Sequence, residues 1–188
     1  SYEMVPTTMS AAKQLTSAYA PLGAVMVPED IYQAYVDHCS RIGTFGHGYT
    51  YGGHPLGCAL GVKAIEIYQK RDILGHVRSL MPLFERRMQA LAEHPLVGEA
   101  RIAGVMGGLE LVADKATRRA FAPGHGVAAR SCATLEKLGV ILRPLGDTIA
   151  LCPPMIIKED ELNTLFDRLE QSLNETETWV TREGLRDS

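Results

Sequence analysis

No stretch of this sequence approaches the roughly 18 consecutive apolar residues that a membrane-spanning helix needs. No basic block exceeds the pairs Arg86-Arg87 and Arg118-Arg119, and the net charge is −3. Together these absences argue against a membrane span and against a nucleic-acid or lipid-surface partner. Cysteine is sparse: Cys39, Cys58, Cys132 and Cys152 lie far apart, with no CxxC pair. With no secretory leader, that is the pattern of reduced thiols, and a cytoplasmic protein is expected. The Asn174-Glu175-Thr176 sequon then carries no meaning. No Gly-Lys-Ser or Gly-Lys-Thr is present, so a nucleoside-triphosphate loop is not supported. No Ser-His-Asp order or carboxylate pair suggests hydrolysis. Repeats and low-complexity tracts are also missing.

What is present is ordinary globular composition, 46% apolar and 22% charged over 188 residues, enough for one large or two small domains. Residues 2–6 read as the tail of an earlier element, so a piece of a longer chain is expected, although removal of an initiator methionine would also leave Ser1 first. Residues 22–28, LGAVMVP, form a short apolar run that predicts a buried strand. Pro28-Glu29-Asp30 opens a helix over about 29–40, proline and acids favouring a helix N-terminus. A glycine-rich loop, GTFGHGYTYGGHPLG, fills 43–57, and a helix follows Pro55 to about Lys70. From Asp72, the spacing of Ile73, Val77, Leu80, Phe84, Met88 and Leu91 makes one apolar helical stripe, with Pro82 expected to kink or break it. Beyond Pro95 the texture becomes mixed. Two strands broken by glycine are expected in 101–114, a helix over 127–139 closed by Gly139, and two strands around Pro144-Leu145-Gly146-Asp147. A last helix follows, with Glu159, Asp160 and Glu161 in its first turn; from Asn174 the polar end is expected to fray, with Trp179 as a local anchor. The pattern divides the chain near 92–95.

Three places carry possible chemistry. Lys13 sits in SAAKQLTSAYAPLGAV with no acid within ten positions except Glu3. A desolvated lysine amine is a nucleophile towards aldehydes, and Ala11, Ala12 and Ala18 would let a flat cofactor approach; the plainer reading is a surface lysine. The glycine loop, with the Thr50 hydroxyl and a helix start just after it, would suit a phosphate. The alternative there is a metal, but Cys39, His47, His54 and Cys58 fit no usual zinc spacing, and packing with loop hydrogen bonds explains them more simply. Arg143, ending the strand-like GVILR, would clamp a carboxylate, or stand as an exposed strand-end arginine.

Taken together, AKQLTSAYAPLGAV, HGYTYGGHPLGCA, LELVADKATRRAF and GVILRPLGDTIALCPPMII resemble the class III aminotransferases, which use pyridoxal 5′-phosphate on the fold-type I scaffold. The resemblance runs from about residue 9 to 173, and GVILRPLGDTIALCPPMII is close to the ω-amino-acid:pyruvate branch. It implies an α/β fold comprising the C-terminal portion of the fold-type I transferase: part of the large-domain sheet plus the small C-terminal αβ domain. The implied organisation is 1–70 in the cofactor-binding large domain, 71–94 a connecting helix, 95–176 the small domain and 177–188 a polar tail. It implies Lys13 at the Schiff-base position, and Thr50, with Tyr49 beside it, on the cofactor, the threonine reaching the phosphate across a homodimer interface. Arg143 matches an arginine that pairs with a substrate carboxylate and swings aside for other side chains. The implied activity moves an amino group from an amine or ω-amino acid to a keto acid such as pyruvate. An aminomutase, a decarboxylating relative, or an inert fragment are the rivals. The family's pyridinium-pairing acid, ring-stacking aromatic and Gly-Ser phosphate loop have no counterpart in these residues. Two local departures stand out, Thr7 where the family has an acid and Ala103 where relatives often have arginine.

Overall fold

The computed structural model describes residues 4–186; Tyr2 and Glu3, and Asp187 and Ser188 of the polar tail, lie outside the described residues. The chain divides into two compact units after Asp72.

In the first unit, β1 (Met9–Ala11) pairs antiparallel with β2 (Ala24–Met26), Ser10 opposite Val25. The strand expected in 22–28 therefore forms, but it is not buried: all three residues of β2 are exposed, because β1 is its only strand partner among the described residues. Next comes α1 (Glu29–Ile42), which starts after Pro28 and ends at Gly43, whose φ of 76° closes the helix in the left-handed region. No residue of α1 is buried. After the glycine-rich loop, α2 (Pro55–Lys70) begins with proline in its first turn and buries only Gly57, Gly61 and Ala64.

The second unit is built around a four-stranded antiparallel sheet in the order β3 (Val97–Ala103), β4 (Met106–Leu111), β6 (Thr148–Leu151), β5 (Arg143–Leu145). Both hairpins were legible as glycine-marked strand pairs; Gly104 and Gly146, at φ 66° and 59°, make the turns. Three helices complete the unit: α3 (Ile73–Ala92), α4 (Val127–Lys137) and α5 (Glu159–Arg182). One core joins Phe84 and Met88 of α3, Leu109 of β4, Ile149 of β6, Leu135 of α4 and Phe166 of α5. A Cβ built on Gly107 would lie 2.7 Å from Met88 Cε, so glycine is what lets α3 lie close over β4. The apolar stripe of α3 thus belongs to this core, which is why the boundary falls after Asp72 and not near 92–95. The helix also runs unbroken through Pro82. Burial of Leu80 and Phe84 on either side outweighs the ~3 kcal/mol that an internal proline costs.

Gly139 ends α4 as expected, in a Schellman arrangement: its N–H bonds Glu136 at 2.9 Å and the Val140 N–H reaches Leu135 at 3.1 Å. The polar end of α5 does not fray. Leu169, Leu173, Thr176 and Val180 continue one buried face, Arg130 lies over the Trp179 ring at 5.5 Å, and Arg186 pairs with Glu177 at 2.6 Å. Polarity at Asn174 and Glu175 hid this because those positions face solvent.

His94, just beyond α3, accepts the Leu96 N–H on Nδ1 at 3.2 Å, which requires a neutral ring. Burial holds its pKa below the ordinary value of about 6.5, against the opposing pull of the Asn174 hydrogen bond and nearby Glu177 and Glu170; Lys115 adds to the lowering. The unfolded chain therefore binds the extra proton first. Its contribution to stability is complete above the unfolded pKa and declines as pH falls through it towards the folded value. Thermal melts of the wild type and of His94→Gln at about pH 8 and about pH 5 check this: the acid-induced loss is expected to be smaller in the variant.

Candidate active site

Between β1 and β2 the chain makes a short 3₁₀ turn, Lys13–Leu15. Lys13 has φ 52°, and Ser17 and Ala18 follow at 51° and 62°. Three residues with β-carbons in the left-handed region within six positions is unusual, and each costs on the order of 1 kcal/mol or more. Surrounding contacts hold the conformation. Lys13 O accepts the N–H groups of Thr16 and Ala18 at 3.3 Å each. Thr16 is buried and its hydroxyl donates to Ala20 O at 2.6 Å. From α2, the Tyr68 hydroxyl donates to Gln14 O at 2.6 Å and is hydrogen-bonded to the Ser17 hydroxyl.

Lys13 opens onto a cleft of about 900 Å³ lined by Ala11, Ala12, Ala18, Pro21, Tyr49, Tyr51, Gly52 and Gly53 among others. The lysine is exposed, not buried within this chain as the small apolar neighbours suggested. Those neighbours line the cleft without closing it. Lys63, in contrast, pairs with Glu66 at 3.0 Å, and Lys115 donates to Ala92 O at 2.6 Å. The Lys13 amine has no ion-pair partner among the described residues, which leaves it available for chemistry.

The glycine-rich loop reaches the cleft by a ladder of rings. Tyr35 of α1 meets Phe45 edge-on at 5.6 Å, Phe45 meets His47 at 6.0 Å, and His47 meets Tyr49 at 5.5 Å. The signal was there: aromatic side chains alternate with Gly46 and Gly48, the two-residue period of an extended segment. A turn follows, with the Gly52 N–H bonded to Tyr49 O at 2.8 Å. A Cβ on Gly52 would lie 3.1 Å from that same oxygen, so the turn is a close-packed backbone cradle. Tyr49 and Tyr51 line the cleft; Thr50, between them, is exposed and is not among the lining residues. His54 Nδ1 accepts the Leu56 N–H at 3.3 Å and caps α2, a local duty. Among the described residues no group of three or more His, Cys, Asp or Glu stands ready for a metal ion. All four cysteines are free, and burial pushes the Cys132 thiol up, away from reactivity.

In the second unit, Arg143 opens β5 opposite Ala150, exposed and without a carboxylate partner among the described residues. Arg101 shows the contrast: it is held by Glu99 at 2.7 Å and Glu110 at 2.6 Å.

A strained lysine turn, a backbone cradle and a tyrosine-lined opening define the class of this chain as an α/β protein with an exposed lysine at the mouth of a cleft. Comparison with known proteins makes the class specific. The family model for aminotransferase class-III matches residues 1–173. Rice (Oryza sativa subsp. indica) proteins described as a probable gamma-aminobutyrate transaminase 3, mitochondrial, and gamma-aminobutyrate transaminase 1, mitochondrial, are 37% and 38% identical over 94% and 95% of the chain. An omega-transferase crystal structure from Vibrio fluvialis superposes with a TM-score of 0.91 at 37% identity, covering 96% of this chain and 42% of its own. A PMP-bound aminotransferase structure from the same organism gives 0.91 at 37% identity, over 94% of this chain and 39% of its own. The chain belongs to the class III aminotransferase family, whose cofactor is pyridoxal 5′-phosphate. Its mixed α/β fold matches part of those transaminase structures, consistent with a C-terminal portion. It spans 34% and 35% of the two rice relatives' length. No helix among the described residues is long and apolar enough to cross a membrane.

Proposed function

We propose that the protein is a pyridoxal-phosphate-dependent transaminase that moves an amino group from an amine or ω-amino acid to a keto acid such as pyruvate. The observation that carries this reading is Lys13, an unpaired amine on a strained turn at the mouth of the cleft. The residues fit the cofactor: an amine for its aldehyde, alanines that leave room for a flat ring, and a close-packed glycine turn ahead of α2. When bound, the cofactor supplies an electron sink for the substrate carbon. Lys13 Nζ would hold the aldehyde carbon and, once freed by the incoming amine, carry the proton at the substrate carbon as general acid and base. Tyr49 would flank the ring, and Thr50 would donate its hydroxyl to the phosphate. Exposure of Thr50 away from its own chain's cleft supports a homodimer in which it serves the partner's site. Arg143, exposed and unpaired, would bind the substrate carboxylate through paired hydrogen bonds. The organisation we propose keeps 1–70 as large-domain sequence and 95–176 as the small αβ domain. The connecting helix of 71–94 and the described part of the polar tail, 177–186, are tied to that domain by the buried faces of α3 and α5. Four free cysteines favour a reducing compartment such as the cytoplasm, whereas the rice relatives are described as mitochondrial.

The names of the relatives favour a carboxylate-bearing amine donor. Incubation of the whole enzyme with an ω-amino acid and pyruvate, with alanine as the measured product, tests the activity; its absence with every donor would favour the mutase or decarboxylase reading. In the same assay, Arg143→Gln is expected to raise KM for ω-amino acids by about ten- to a hundredfold, the loss of a charged hydrogen-bonded pair. KM for an amine without a carboxylate is expected to stay within about twofold, since such a donor gives the guanidinium nothing to bind.

A further inference from the structure

We infer that Tyr68 is a positioning residue for Lys13, acting through Ser17 and the Gln14 carbonyl from the far side of the turn. This deepens the proposed function and rests on it. The hydrogen bonding has only one consistent direction. The Tyr68 hydroxyl has one proton, and it donates that proton to Gln14 O at 2.6 Å. The Ser17 hydroxyl must then donate to the Tyr68 oxygen. One phenol therefore ties down the backbone immediately after Lys13 and the side chain of the next left-handed residue, Ser17. The two ties flank or fall on left-handed residues, Lys13 and Ser17, that carry β-carbons and would otherwise relax.

The helix that carries Tyr68 is shaped for this. Its only buried residues are Gly57, Gly61 and Ala64, and Tyr68 is the next member of that face, at spacings of four, three and four. A Cβ on Gly61 would lie 2.9 Å from Leu22 Cδ2 and 3.7 Å from Leu15 O; one on Gly57 would lie 3.6 Å from Pro21 O. The absent side chains thus let the segment 15–22 rest on the helix, and Tyr68 at the end of the face reaches over to fasten it. A phenylalanine would fill the same space and lose only the two hydrogen bonds.

The test uses the whole enzyme with Tyr68→Phe and Ser17→Ala, each reconstituted with pyridoxal 5′-phosphate. Borohydride fixation followed by peptide mapping comes first. Label on a lysine other than Lys13 overturns this inference together with the reading it rests on. With label on Lys13, Tyr68→Phe is expected to shift the pH midpoint of the bound chromophore's absorbance, to weaken cofactor retention and to lower kcat by about three- to tenfold, the range of one or two lost neutral hydrogen bonds. KM for the amine should be nearly unchanged. Ser17→Ala should give the same signature, and the double variant should add little to either, because both act in one chain of bonds. A wild-type pH midpoint in Tyr68→Phe overturns the positioning role alone, whether or not the melting temperature falls.

Discussion

Replacing Lys13 with alanine in the whole enzyme is expected to end amino transfer, with a loss of at least about 10²- to 10⁴-fold from the missing proton carrier alone. Other lysines do not compete for the role. Lys63 is in an ion pair and Lys115 is committed to carbonyls at the end of α3. Among the described residues Lys13 is the only lysine lining the cleft, and it stands on the strained turn. Borohydride should fix pyridoxal 5′-phosphate to the peptide containing Lys13 in the wild type and to no peptide in the variant. The fold should survive, because Lys13 is exposed and makes no side-chain contact that holds the unit together. Alanine has the same β-carbon, so the cost of φ 52° is unchanged in the variant. An unchanged melting temperature with abolished labelling is thus the expected pairing. Persistent labelling at another lysine would remove Lys13 from the mechanism.

The largest expected effect on stability lies in the other unit. Phe166 of α5 and Phe84 of α3 are both fully buried and meet edge-to-face, 5.3 Å between ring centres, with Arg87 over the Phe166 ring at 5.4 Å. Phe166→Ala is expected to cost about 3–5 kcal/mol, the lost transfer energy plus the cavity left behind. That is a large share of the roughly 5–15 kcal/mol that holds a typical domain folded. Phe166→Leu, which keeps most of the volume, should cost clearly less. Urea titration of the whole protein, with hydrogen exchange read separately over α3 and α5, measures it. If exchange in these helices were unchanged in Phe166→Ala, the shared core of α3, α5 and the sheet would not be the cooperative element described above.

The elements with a strong local signal were legible from the chain itself. Gly139, Gly104 and Gly146 mark their turns because each needs positive φ, and the acids at 159–161 announce a helix start. Lys13, the glycine loop and Arg143 stood out as candidates because their residue types are costly or uncommon where they occur. What escaped was whatever depends on contacts distant in sequence. Pro82 gave a break signal that burial on both sides overrode. The last turns of α5 looked like a tail because Thr176 and Val180 are only two buried positions among polar neighbours. Exposure of β2 and of Lys13 was hidden by apolar composition, which records what a residue prefers but not whether anything covers it. Tyr68 was invisible because it lies fifty-one positions from Ser17, and only the fold brings the two hydroxyls together.

The glycine face of α2 sets how closely the segment after Lys13 rests on that helix. A methyl group introduced at position 61 would come within 2.9 Å of Leu22 Cδ2, so the Leu22 side chain would have to turn aside. Engineers seeking new amine donors ordinarily widen the walls that a substrate touches. Here the buried helix face behind the turn offers a second handle on the same cleft, because Leu22, which it touches, is itself one of the lining residues.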